Sequence, residues 1–231
     1  MGVTVDVIVP AAAWDGVERK AARAWVVGWW MSRGYSVKVA ELAQQPWSKG
    51  RAVNRALAAS DADVVIVADA DSWLPTKAVD AMVAAAGRNT WVVPFERVMR
   101  LCEAATRQVL ATDPALVDTP SRKTLAQKPH AALAGGGIIA AHRDVWALVG
   151  GFDPRFEDWG GEDYSLGCAL RTMTGRDARR LTGELWHLWH PPQENTLRES
   201  KETSTLSMRY RKAKFRPDEM TRLLDEWRAD A

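Results

Sequence analysis

Two aspartates, Asp69 and Asp71, close the segment VIVADAD, residues 65 to 71. Alternate residues of an extended chain share a side. Both carboxylates can therefore face one hard cation such as Mn²⁺ or Mg²⁺, with phosphate oxygens filling the remaining positions. The same pair also fits a plain surface turn. Further on, ELWHLWHPP places His187 and His190 three residues apart, and neutral imidazole could complete a metal site. On a straight strand these two would point to opposite faces, so both reach one ion only if the chain bends before Pro191. His190 is the first choice and His187 the second. A third group is Glu162 and Asp163 in EDWGGEDYSLGCALR, residues 157 to 171. Leu166, Ala169, Leu170 and Met173 are helically spaced, so a helix starts near residue 161. The two acids then fall in its first turn, where the dipole favours an ionised carboxylate. Such a carboxylate at a cleft can act as general base toward a hydroxyl, worth roughly 10²–10⁴ in rate. Gly160 and Gly161 let a substrate approach the backbone, and Trp159 offers a flat face for a sugar ring. An ordinary acidic helix start is the bland alternative, and W-G-G-E-D is more specific than that.

The elements that must hold these residues read as strands and helices in alternation. Val3, Val5, Val7 and Val9 form a strand expected to stop at Pro10. A helix follows over 17 to 33, then a strand over 35 to 42 and a helix over 49 to 60. The third strand, 63 to 69, is apolar almost throughout, as in a sheet covered on both faces. A helix after Pro75 and a strand over 90 to 95 continue the pattern. ERVMRLCEAATRQVLA, from residue 96, reads as a helix. The polar loop 112 to 130, with Arg122 and Lys123, has the length of a lid or binding loop. GGGIIAAHRDVWALVGG resumes as strand, helix and glycine stop, and the last 35 residues read as helices. The fold class is α/β: a mostly parallel central sheet with helices on both faces, whose ligands bind beyond the carboxyl ends of the strands. Residues 1 to 195 are expected to form the main domain. Residues 196 to 231 are then a helical extension packed on it.

Bulk properties set the limits. The 231 residues carry 47% apolar and 26% charged side chains and a net charge of +2, so nothing global argues for nucleic acid or a membrane. Twelve tryptophans are many, enough to fill a core and still line a ring-binding site. Two cysteines, Cys102 and Cys168, have no metal spacing and suit a reducing compartment. No segment reaches the length of a membrane span, and a soluble, cytoplasmic protein is expected. Locally, residues 198 to 216 hold seven lysines and arginines against two glutamates. That stretch suits a solvated helix face, or a track along a phosphate backbone.

The order VIVP, then WSKGRAVNRALAASDADVVIVADADSWLP, then GGGIIAAHRDVWALVGGFDPRFEDWGGED, then HLWHPP resembles the GT-A-fold glycosyltransferases over residues 3 to 195. The likeness is greatest to the inverting β1,4-galactosyltransferase type. The related galactosyltransferase-like module of polypeptide GalNAc-transferases and chondroitin polymerases is similar too. The resemblance implies a UDP-sugar donor and Mn²⁺ or Mg²⁺. By position it places Pro10, Arg19, Lys49 and Asn54 near the nucleotide, Asp69 near the ribose, and Asp71, His187 and His190 on the metal. It also places Gly136 and Gly137 at the donor sugar, Trp159, Gly160, Gly161 and Glu162 at the sugars, and Asp163 as the inverting base. Where the family's acidic run often continues, Tyr164 follows here.

The expected function is metal-dependent, inverting transfer of a hexose or N-acetylhexosamine from a UDP-sugar to an acceptor hydroxyl of a glycan or similar molecule. The alternatives are a retaining enzyme, a glycosyltransferase acting on hydroxylated DNA bases through the basic 198–216 stretch, and a non-catalytic nucleotide-sugar-binding module.

Overall fold

The structure is a computed structural model that describes residues 2–120, 124–126, 136–158, 160–191 and 200–228. Along the chain run β1 (Val5–Ala12), α1 (Val17–Ser32), β2 (Ser36–Leu42), α2 (Lys49–Ala58), β3 (Val64–Ala68), β4 (Ser72–Trp73) and α3 (Thr76–Ala85). Next come β5 (Trp91–Val93), β6 (Arg97–Leu101), α4 (Glu103–Leu110), a 3-10 turn (Pro114–Leu116), β7 (Thr124–Ala126), β8 (Ile138–His142) and α5 (Arg143–Val149). The chain continues with α6 (Glu162–Thr174), β9 (Arg179–Arg180), β10 (Glu184–His187), α7 (Lys201–Ala213) and α8 (Pro217–Arg228).

Six strands form the central sheet in the order β2-β1-β3-β8-β5-β9. The first three are parallel, as their apolar runs joined by helices require. β8 enters antiparallel to both β3 and β5, with Ala68 opposite Ile138. The antiparallel entry brings Gly136 and Gly137, which precede β8, to the carboxyl end of β3, beside Asp69. A second, mixed sheet in the order β4-β10-β6-β7 stands at that same end and supplies His187.

The core follows the sequence pattern. Every residue of β3 and β8 is buried, as is the inner stripe of α1 formed by Ala22, Trp25, Val26, Trp29 and Trp30. Among the described residues eight tryptophans are buried: Trp25, Trp29, Trp30, Trp73, Trp91, Trp146, Trp186 and Trp227. Trp25 meets Trp73 edge-on with ring centroids 5.0 Å apart, which fastens α1 to the segment carrying Asp71. Leu206, Tyr210, Met220, Leu223, Leu224 and Trp227 of α7 and α8 belong to the same buried cluster as the sheet. Among the described residues, no helix is long and apolar enough to cross a membrane.

Two local expectations fail for physical reasons. Arg97–Leu101 is strand, and the helix begins only after Cys102. Val98 and Leu101 are buried, and the strand is sandwiched between β10 and β7, pairing that a segment this short cannot announce. β1 also does not stop at Pro10 but runs on to Ala12. Its pairing with β3 is over by Ile8, so at Pro10 only β2 lies alongside and the missing N–H breaks no ladder there.

Candidate functional site

The carboxyl end of β3 is where the chemistry collects. Its two aspartates separate into different partnerships. Asp69 accepts a hydrogen bond from the Gly137 amide at 3.0 Å, while its own N–H donates to the Gly137 carbonyl at 2.7 Å. Its other oxygen, Oδ1, lies 2.9 Å from Lys49 Nζ. Asp71 turns the other way, toward β10. Leu188 N–H donates to the Asp71 carbonyl at 2.8 Å and locks the two segments together.

The Asp71 carboxylate faces both histidines. His190 Nε2 stands 3.1 Å from Oδ2, and His187 Nε2 stands 3.5 Å from Oδ1. The chain bends after β10 as the spacing requires, helped by Thr106 on α4, whose hydroxyl accepts from Trp189 N–H at 2.8 Å. A ligand atom from each of Asp71, His187 and His190 lies within 4.8 Å of the others. The outer nitrogens are spoken for: His187 Nδ1 is 2.7 Å from the Leu188 carbonyl and His190 Nδ1 is 3.0 Å from the Pro191 carbonyl. A carbonyl only accepts, so Nδ1 carries the proton in each ring, and in the neutral ring Nε2 presents a lone pair toward the carboxylate. Three electron-rich atoms converging in this way fit a divalent cation. Two imidazoles and one carboxylate suit Mn²⁺ better than the all-oxygen shell Mg²⁺ prefers. Burial alone would push the Asp71 carboxyl up; when the facing imidazoles carry positive charge instead of a metal, they and the Arg19 guanidinium outweigh it and hold the group well below the usual carboxylate range.

Arg19, in the first turn of α1, thus lies within electrostatic reach of Asp71, and its buried Nε makes no hydrogen bond. A half-buried guanidinium with an unspent donor beside this cluster is suited to an anion. The sequence reasoning missed Arg100 of β6, whose Nη1 sits 3.0 Å from His187 Nε2. No signal pointed to it, because its segment read as helix.

The third carboxylate group arrives from the other side. Asp158, Gly160 and Gly161 all have positive φ, at 60°, 104° and 81°. This left-handed run, easy only for glycine and tolerated by Asp, swings the chain sharply into α6. Asp163 then lies with Oδ1 2.9 Å from Lys49 Nζ. A Cβ on Gly136 would sit 2.7 Å from its Oδ2, so the residue at 136 has no room for a side chain. Burial pushes the neighbouring Glu162 carboxyl up to about 7, and the negative charge of Asp163 adds to this against the pull of Lys49.

Asn54 has no part in this cluster. Its Nδ2 donates to the Phe152 carbonyl at 2.7 Å and its Oδ1 accepts from Phe152 N–H at 2.9 Å, so the whole amide is spent clamping the chain ahead of α6. Ser48 Oγ donates to the Pro154 carbonyl at 3.0 Å, Arg51 pairs with Glu157 at 2.6 Å, and Asp158 N–H donates to the Trp47 carbonyl at 2.7 Å. The start of α2 is therefore the bed on which the segment leading to Glu162 and Asp163 lies. Pro10 is buried in β1. Trp159, Arg122 and Lys123 lie outside the described residues.

Comparison with known proteins agrees with this fold. The family model described as glycosyl transferase family 2 matches residues 30–134, and the model described as the N-terminal domain of galactosyltransferase matches residues 121–185. A search of curated proteins finds no match. Among solved structures, the catalytic domain of Drosophila β1,4-galactosyltransferase 7 in complex with xylobiose is similar, with a TM-score of 0.55 at 10% identity. That match covers 90% of this chain and 80% of that one. GalNAc-T7 with UDP, GalNAc and Mn²⁺ is similar with a TM-score of 0.53 at 14% identity, over 91% of this chain and 48% of that one, so this chain spans about half its length. With both family models falling on the segments that carry Lys49, Asp71 and Asp163, the chain is a nucleotide-sugar-dependent glycosyltransferase of the GT-A fold.

Proposed function

We propose that the protein transfers a sugar from a UDP-sugar to an acceptor hydroxyl with inversion at the anomeric carbon, with Asp163 as general base. The observation that carries this reading is the presence of two centres at the carboxyl end of β3. Asp71, His187 and His190 converge at one, and the Asp163 carboxylate lies over Gly136 at the other. Asp71, His187 and His190 would hold Mn²⁺, which would neutralise charge on the diphosphate and make it a better leaving group. Arg19 brings a further cation to the same side, and Asp69 and Gly137, joined by two hydrogen bonds, form a rigid floor for the ribose and the donor sugar.

The reaction then needs little movement. The acceptor oxygen forms its bond to the anomeric carbon while the bond from that carbon to the diphosphate oxygen breaks, and its electron pair leaves with the diphosphate. The acceptor proton passes to Asp163. Glu162, with its carboxyl poised near neutrality, binds sugar hydroxyls as donor or acceptor and so orients the nucleophile. The UDP and Mn²⁺ of the GalNAc-T7 structure and the xylobiose of the galactosyltransferase 7 structure support a UDP-linked donor and a sugar acceptor.

A DNA acceptor finds part of the 198–216 charge already engaged: Arg209 pairs with Glu226, Arg216 pairs with Glu219, and Lys214 lies over the Phe215 ring at 4.8 Å. The test is a panel of UDP-sugars with Mn²⁺ and short saccharide acceptors, with the first-formed product read by proton NMR. A product whose anomeric coupling is opposite to that of the donor supports inversion. Retained configuration, or no turnover of any UDP-sugar, contradicts the proposal.

A further inference from the structure

We propose that Lys49 is a positioning residue for the base: it ties the Asp163 carboxylate to Asp69 at the end of β3, so that Oδ1 is held and Oδ2 is left over Gly136 to receive the acceptor's proton. This rests on the reading of Asp163 as base.

The geometry begins with burial. Lys49 is 6% exposed, and a buried ammonium is costly unless its donors find partners. Nζ finds two carboxylates, Asp69 Oδ1 and Asp163 Oδ1, each at 2.9 Å. The Phe152 ring lies 5.2 Å from Nζ and closes its apolar side. Burial would lower the pKa of Lys49, but Asp163, Asp69 and Glu162 override this and raise it well above the usual lysine value, so the ammonium stays charged. Its backbone is fixed as well. Lys49 is the first residue of α2, capped by Ser48 and bonded through Ser48, Arg51 and Asn54 to residues 152 to 157.

The consequence for Asp163 is directional. One oxygen is fixed by a charged hydrogen bond, and the other occupies the space that a side chain at position 136 would need. Asp69, the second anchor, is itself bonded to Gly137. The donor floor and the base are thereby joined through one ammonium. A base aimed within a fraction of an ångström is worth a great deal, because a misplacement of about 1 Å costs roughly 100-fold in rate. Two of the three ammonium donors of Lys49 are engaged in this role, which differs from the nucleotide contact that its position in the sequence suggests.

The test is Lys49→Met, which removes the ammonium and keeps the chain length. The expected result is a kcat lowered about 100-fold, with the donor KM and the affinity for UDP with Mn²⁺ within about threefold of wild type. An unchanged kcat with a raised donor KM and weakened UDP affinity overturns the proposal and makes Lys49 a donor-binding residue. Where Lys49→Met fails to fold, Lys49→Met with Asp69→Asn removes one positive and one negative charge together and keeps the balance. A crystal structure of either variant reads the positioning without reference to turnover, so it stands even if the wild type transfers no sugar. The Asp163 carboxylate displaced from Gly136 supports the proposal, and an unmoved carboxylate overturns it.

Discussion

His190 places Nε2 3.1 Å from Oδ2 of Asp71, joining the loop after β10 to the segment after β3. With His187 on the second flank, Asp71 is the one member of its Asp-Ala-Asp sequence that meets nitrogen ligands. Asp71→Ala should therefore weaken Mn²⁺-dependent UDP binding by more than the roughly 10–100-fold that loss of an outer-shell partner costs. Isothermal titration with and without chelator measures this. His190→Ala should do nearly as much harm. Mn²⁺-dependent affinity that survives both substitutions would place the metal elsewhere.

Gly136 is a sharper probe than its size suggests. Its φ lies outside the left-handed region, so alanine is acceptable to the backbone, yet the new Cβ would stand 2.7 Å from Asp163 Oδ2. Gly136→Ala should fold with a near-normal melting temperature and lose about 100-fold in kcat. Affinity for UDP itself should change little. Steady-state kinetics beside a UDP titration checks the split.

The environment of Glu162 makes stability depend on pH. Its carboxyl is raised to about 7, first by burial and then by Asp163, from an unfolded value near 4.5. A raised acid means that the folded state holds its proton longer than the unfolded state does. Its contribution is fully retained below the unfolded value and is lost as pH rises toward the folded one. Wild-type protein in chelator should lose melting temperature between pH 5 and pH 8, and Glu162→Gln should lose less over the same interval. Parallel curves for the two proteins would remove Glu162 as the cause.

Much of this site is visible in the sequence, and the gaps have physical reasons. The apolar run ending in Asp-Ala-Asp announced β3 and its acids, because a fully buried strand must be apolar and its end must be polar. The helical spacing of Leu166, Ala169, Leu170 and Met173 announced α6 and set Glu162 and Asp163 in its first turn. Asn54 shows the limit. An asparagine near a nucleotide site and one clamping a backbone look alike in sequence, and only the paired bonds to Phe152 distinguish them. Lys49 was expected near the nucleotide, and nothing in its spacing told that two carboxylates would claim it. Arg97–Leu101 failed because its buried Val98 and Leu101 are three apart, a helical spacing, while partners on both sides decided for strand.

The C-terminal helices have a structural task that can be measured. Tyr210, 1% exposed, donates its hydroxyl to Asp153 Oδ2 at 2.8 Å, and Arg155 binds the same carboxylate at 2.7 Å. Trp227 of α8 donates to the Tyr210 oxygen at 3.3 Å. Asp153 lies on the segment that leads to α6, so this network fastens α7 and α8 to the base-bearing stretch. Tyr210→Phe should cost about 1.5–3 kcal/mol, the range for a hydrogen bond to a charged group. Urea denaturation tests it; a loss near zero would mean that Arg155 alone satisfies Asp153.

The central claim is that Asp163 takes the acceptor's proton, and Asp163→Asn tests it most directly. The side chain keeps its size and can still accept from Lys49, but it has lost the basic oxygen. The account predicts that sugar transfer from the UDP donor is abolished while UDP binds in the presence of Mn²⁺ as tightly as to the wild type. Turnover that survives in Asp163→Asn at the wild-type rate would contradict it.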